Sequence, residues 1–305
     1  MSTVAASVSN IPQPPGEHIP QPILLPLAAL LGDLQADAQA RHIARLSGIP
    51  FGPTTSLPAL DMLLGGAFTP GLHILHGSPG VGKTAFALQI AASCGCPAMF
   101  VTCEMGAVEL LRRHTARITS TYLGKLKDGT LSGATVAGLA GQAIAAAPLL
   151  ALLDATQAPA PPAVIAAHAA TVRGSSDSEH FLLVVDSLHS WADAIGGGEE
   201  YDRLNAALVA LRMLAKHLNC PILAISERNR AAMKSSGQSS GAGTRKIEYG
   251  AETVIALDLD GGEDVRPDAS GYTDVTLKIG KNRNGSLGNP LYLRWHGATQ
   301  RYTEA

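Results

Sequence analysis

Two periodicities alternate along the chain. Near-continuous apolar runs at residues 72–76, 98–102, 181–185, 221–225 and 253–257 are too short for helices, and they suit strands buried on both faces. Between them, residues 83–93, 107–120, 134–147, 162–172 and 201–218 carry helical spacing, the last with Leu204, Leu208, Leu211 and Leu218 on one face. Residues 275–279 and 291–295 instead alternate apolar and polar, as half-exposed antiparallel strands do. Repeated strand–helix units predict an α/β fold, a mostly parallel sheet with helices on both faces, closed by a C-terminal antiparallel extension. No internal repeat is present.

Ahead of this pattern stands a separate helix, predicted over residues 27–46 from Leu27, Leu30, Leu31, Leu34 and Ala38. Residues 1–26 hold Pro12, Pro14, Pro15, Pro20, Pro22 and Pro26 among few large apolar side chains, which predicts a flexible arm. The chain therefore divides into an arm (1–26), a helix (27–47) and an α/β domain (48–305). Hydrophobic residues at 46% and charged ones at 16% exclude global disorder. The net charge of −2 gives no whole-molecule attraction to nucleic acid, so any such partner must be held by a local basic patch. Cys94, Cys96, Cys103 and Cys220 form no C-x-x-C pair, which excludes a zinc ribbon and predicts reduced thiols of a cytoplasmic protein. The start of the chain lacks a basic, then apolar, secretory pattern. The apolar stretch 134–153 is broken by Gly138, Gly141, Gln142 and Pro148, so no membrane span is expected.

Chemistry concentrates in a few places. Gly77, Ser78, Pro79, Gly80, Val81, Gly82, Lys83 and Thr84 spell G-x-x-x-x-G-K-[ST] between a predicted strand and a predicted helix. In that context the glycines let backbone N–H groups converge on phosphates, Lys83 neutralises the β- and γ-phosphates of ATP, and the Thr84 hydroxyl ligates Mg²⁺. Asp186 closes an apolar strand and can hold the same Mg²⁺ opposite Thr84. Glu104 follows the strand at 99–103, read as lying beside the phosphate loop, and there it can polarise an attacking water; the alternative is a charge at the N-terminus of helix 107–120. Arg228, Arg230, Lys234, Arg245 and Lys246 punctuate a Ser/Gly-rich loop without aromatics, suited to gripping a nucleic-acid backbone. Lys281 and Arg283 are expected on a short turn after the strand at 275–279. The acids Asp258, Asp260, Glu263, Asp264 and Asp268 lack EF-hand spacing, and the ten histidines show no paired metal spacing.

Together these motifs resemble the RecA-like motor domain of DnaB-type replicative helicases, from Gly48 to the C-terminus. "GIPFGPTTSLPALDMLLGGAFTPG" is similar to that family's approach to the P-loop, "VTCEMGAVELLRR" to its second motif, "LLVVDSLHS" to its Walker B strand and "AISERNR" to its sensor strand. "KIEYGAETVIAL" is similar to the segment after its DNA loop and "KIGKNRNG" to its C-terminal motif. The resemblance implies a RecA-like P-loop NTPase with Glu104 as catalytic glutamate. It also implies that Lys281 and Arg283 act on the neighbouring subunit's nucleotide. Residues 27–47 correspond to a linker helix that docks on the adjacent subunit, which implies a homo-oligomeric ring, a hexamer, moving 5′→3′ on single-stranded DNA. The chain departs from the family at Glu227, where a Gln is usual, and at Ser187-Leu188-His189, where Tyr-Leu-Gln is usual. No segment matches the N-terminal helical domain that contacts primase and loader, which leaves those partners open. A RadA- or RecA-like recombination ATPase is the alternative enzyme, and a regulatory or scaffold ATPase that does not unwind is the alternative class.

Overall fold

A computed structural model describes residues 24–227, 250–262 and 265–305. The arm up to residue 23, the basic residues Arg228, Arg230, Lys234, Arg245 and Lys246, and the acids Glu263 and Asp264 lie outside the described residues.

The chain separates into two units, residues 1–49 and 50–305. In the first, the predicted helix begins as a 3-10 turn, Leu27–Leu30, and continues as α1, Leu31–Ser47, ended by Gly48 in the left-handed conformation (φ 67°). Leu31, Leu34, Ile43 and Leu46 on α1 are exposed.

The second unit is built on one nine-stranded sheet, with α2 (Pro58–Leu63), β1 (Gly71–Gly77), α3 (Lys83–Ser93), β2 (Ala98–Thr102), α4 (Ala107–Thr119), α5 (Gly133–Ala146) and β3 (Leu150–Asp154) in its first half. The second half holds α6 (Pro162–Arg173), β4 (Leu182–Asp186), α7 (Leu188–Ile195), α8 (Glu200–Leu218), β5 (Pro221–Glu227), β6 (Thr253–Leu259), β7 (Tyr272–Asn282), β8 (Leu291–His296) and β9 (Arg301–Glu304). The strand order is β3-β2-β4-β5-β1-β6-β7-β8-β9, parallel from β3 to β6 and antiparallel from β6 to β9.

Alternation within each parallel strand explains why both sets of positions are apolar. Leu182 and Val184 of β4 face a core that contains Phe86 and Ile90 of α3 and Leu110 of α4. Leu183 and Val185 face a second core, with Ile165 of α6, Trp191 of α7 and Leu211 of α8. On β7, Val275, Leu277 and Ile279 are buried while Asp274 and Lys278 point to solvent, so this strand reads as half exposed.

Four elements lie outside what the pattern predicts: α2, β3, α7 and β9. The β3 strand follows the Ala-rich α5 with only Pro148 near the join, so one apolar stretch hides a change of period. The α7 helix is a short amphipathic turn that begins two residues after Asp186. Among the described residues no helix is long and apolar enough to cross a membrane.

Candidate active site

The carboxyl ends of β1, β2, β4 and β5 come together at one edge of the sheet, where open α/β folds collect their chemistry. After β1 the chain turns through Gly80 (φ 81°) and Gly82 (φ 86°), both left-handed, and enters α3 at Lys83. Glycine is required at Gly82 on a second ground, because a Cβ there would meet the Trp295 ring at 2.8 Å. The Lys83 ammonium donates to the carbonyls of Gly77 (3.0 Å) and Ser78 (3.2 Å), so it sits over the loop that the sequence motif predicts for phosphates. Tyr302 donates its hydroxyl to the Val81 carbonyl, and its backbone exchanges two 3.0 Å hydrogen bonds with the Gln89 side chain. The last strand thereby braces both the loop and α3.

Asp186 ends β4 and is buried, and it shares the cleft with Thr84. Burial raises its pKa to about 6; the Glu104 carboxylate pushes the same way, against the Thr84 hydroxyl, Lys83 and Arg113. The expectation that the strand before Glu104 adjoins the phosphate loop is corrected by the sheet. Strands β4 and β5, which come later in the chain, fill the two places between β2 and β1. Glu104 still reaches the site, since Thr102 and Asp186 are in register and Glu104 lies two residues beyond. Its Oε1 accepts from the hydroxyls of Ser187 (2.5 Å) and Ser190 (2.5 Å). At the N-terminus of α4, Asp154 Oδ2 accepts from Ala107 N at 2.8 Å.

These groups share a cleft of about 470 Å³, lined among others by Gly80, Lys83, Thr84, Glu104 and Asp186. It also holds three residues that sequence reasoning missed: Arg113, Trp295 and Gln300. Arg113 extends from α4 and donates to Gln300 Oε1 at 2.7 Å, with Glu109 at 3.4 Å on its other side. The i,i+4 spacing of Glu109 and Arg113 is a visible signal, but it fits an ordinary solvated helix face equally well. Trp295 comes from β8 and Gln300 from the turn just before β9, both far away in sequence. A donor set of one carboxylate and one hydroxyl beside a lysine and a glycine turn fits Mg²⁺ with a nucleoside triphosphate.

Lys281 and Arg283 lie elsewhere. The expected short turn is a continuation of β7 to Asn282, so Lys281 is a strand residue paired with Val254 and Arg283 is the first residue past the strand. The Arg283 guanidinium meets Glu252 Oε1 at 3.0 Å. Asn282 pairs with Thr253, and Thr253 with His73, which precedes Gly77 by four residues on β1. At about 3.3 Å per residue, Arg283 is thus set back ~13 Å or more along the strand direction from its own phosphate loop. Neither residue lines the cleft. Glu227, the departure at the sensor position, ends β5 in register with Gly77.

A P-loop between the central strand and its helix, a buried Asp on a strand two places away, and antiparallel strands closing one side define a RecA-like ATPase fold. Within that class the chain belongs to the DnaB-like helicase C terminal domain family, whose profile matches residues 52–304. Curated relatives include the replicative DNA helicase DnaB of Treponema pallidum (strain Nichols), 27% identical over 276 residues, or 86% of this chain and 58% of that protein. The DnaB of Rickettsia bellii (strain RML369-C) is 28% identical over 196 residues, 59% of this chain and 38% of that one. The chain spans about half the length of the curated relatives it matches. Among solved structures, one described as an ATPase domain superposes with a TM-score of 0.75 at 18% identity, over 90% of this chain and 98% of that one. A DnaB-like replicative helicase studied with primase gives 0.72 at 18%, over 90% and 66%. At such identities the structural likeness speaks for the fold.

Proposed function

We propose that the protein is an ATP-dependent DNA helicase or translocase of the DnaB type, which hydrolyses ATP at the interfaces of a homo-oligomeric ring, a hexamer, and moves along single-stranded DNA. Lys83 and the amides at the start of α3 would bind the phosphates, Thr84 and Asp186 would hold Mg²⁺, and Glu104 would take the proton of the attacking water. Mg²⁺, when bound, offsets phosphate charge that the lysine alone leaves. Lys281 and Arg283 would complete the cleft of the next subunit, residues 27–47 would dock on that neighbour, and the basic residues from Arg228 to Lys246 would hold the DNA backbone.

The observation that supports this reading most is the division of the functional set. One cleft gathers Lys83, Thr84, Asp186 and Glu104, while Lys281 and Arg283 stand toward the opposite end of the sheet. A cation that acts on phosphate from there can act only on another subunit's nucleotide.

A strand-displacement assay on a forked duplex tests the proposal. Displacement should require ATP and should vanish in Lys83→Ala. ATP turnover with neither displacement nor movement on single strands would favour the regulatory ATPase, and ATP-dependent strand exchange would favour the recombinase.

A further inference from the structure

We propose that Ser187 and Ser190 are positioning residues for Glu104, fixing one carboxylate oxygen so that the other can meet the attacking water. This rests on the reading of Glu104 as the general base.

The geometry is local and closed. Asp186 leads straight into Ser187, which caps α7 by accepting from Ser190 N at 3.3 Å. The helical turn brings the two hydroxyls to 3.1 Å of each other, and both also stand 2.5 Å from Glu104 Oε1. Cys103 N donates to the Asp186 carbonyl at 2.7 Å, so the chain leaving β2 is tied to the chain leaving β4 just before the carboxylate and the serines. Both hydroxyl contacts fall on Oε1. A carboxylate on a flexible stem loses rotamer freedom when one oxygen is held twice, and a base held in line gains rate through orientation. Ser187 stands where the resembling family carries a Tyr, so the clamp includes one of this chain's own departures.

Ser190 gives the cleaner test, because Ser187 also caps α7 and its removal would weaken that helix. In the full-length protein with MgATP, Ser190→Ala should lower kcat about 10-fold, the size of one lost hydrogen bond to a charged group. KM, the dissociation constant of a non-hydrolysable ATP analogue and the melting temperature should stay put, and Ser190→Thr should restore turnover to within a few-fold. In a Glu104→Gln background, single-turnover phosphate release should be no slower with Ser190→Ala than without it. An unchanged or raised kcat in Ser190→Ala, a matching change in analogue affinity, or an equal further loss on top of Glu104→Gln would each overturn the proposal. If Glu104→Gln alone turned over like wild type, the general-base reading would fall and take this one with it. A dead Glu104→Gln beside a fully active Ser190→Ala would sink the clamp alone.

Discussion

Lys83 and Glu104 stand in one cleft, the proposed function gives them different moments of the reaction, and their variants should separate those moments. Lys83 would add positive charge to the phosphates from a place in the cleft lining rather than in the core, so Lys83→Ala should stay folded and lose turnover. Glu104→Gln removes proton acceptance only, so analogue binding should survive while hydrolysis falls at least ~100-fold. Titratable groups away from the cleft also bear on stability. Burial holds His73 and His114 down at about 4, against an ordinary value of 6.5, with Arg117 adding to the effect on His114. Carbonyls of Thr69 and Ala143, and Glu252 near His73, oppose it only in part. At these two histidines the unfolded chain therefore binds protons between pH 4 and 6.5 that the folded one does not. The contribution of these two histidines is full above about pH 6.5 and declines as pH falls toward ~4, by on the order of 3 kcal/mol per histidine. The raised Asp186 carboxyl acts in the opposite sense, its contribution fading as pH rises through about 6. Between about pH 7.5 and about pH 4.5, urea unfolding should show a smaller acid-side loss in His114→Gln than in the wild type.

At the scale of elements, the C-terminal strands are part of the phosphate loop's support. Trp295 of β8 packs on Gly82, Tyr302 of β9 stacks on Trp295 and bonds the Val81 carbonyl, and Phe86 of α3 meets Tyr302 edge-on. Tyr302→Phe keeps the ring and loses the hydroxyl. It should cost about 1 kcal/mol in urea unfolding and weaken ATP-analogue binding a few-fold, with Glu104 chemistry unaltered. At this brace the legibility of the sequence ends. The P-loop, the Walker B strand and the parallel core can be read directly, because each is a contiguous run with a period or a motif of its own. Arg113, Gln300 and Trp295 cannot, since their neighbours in the cleft arise from strand order, which local pattern does not encode. The same holds for the placement of β2, which pairs with β4 on one side and β3 on the other. Lys281 reads as a turn residue because Gly280 and the polar residues after it imitate a strand end, although the pairing with β6 carries on to Asn282.

For the molecule as a whole, the proposed function makes activity depend on assembly. Single-strand affinity should fall steeply with salt, and neutralising Arg228, Arg230, Arg245 and Lys246 together should flatten that dependence. Ring formation should depend on residues 1–46, whose removal should abolish oligomer and ATPase together although every P-loop residue remains. A cleft complete in Lys83, Thr84, Asp186 and Glu104 is, on this reading, still short of one charge, supplied by another subunit's Arg283. ATP turnover by Arg283→Ala, measured beside its ATP-analogue affinity, tests this dependence without disturbing the P-loop. Turnover should fall about 1,000-fold with affinity within a few-fold of wild type, and it should recover in part when these subunits are mixed into rings with Lys83→Ala. Wild-type turnover by Arg283→Ala alone would contradict it.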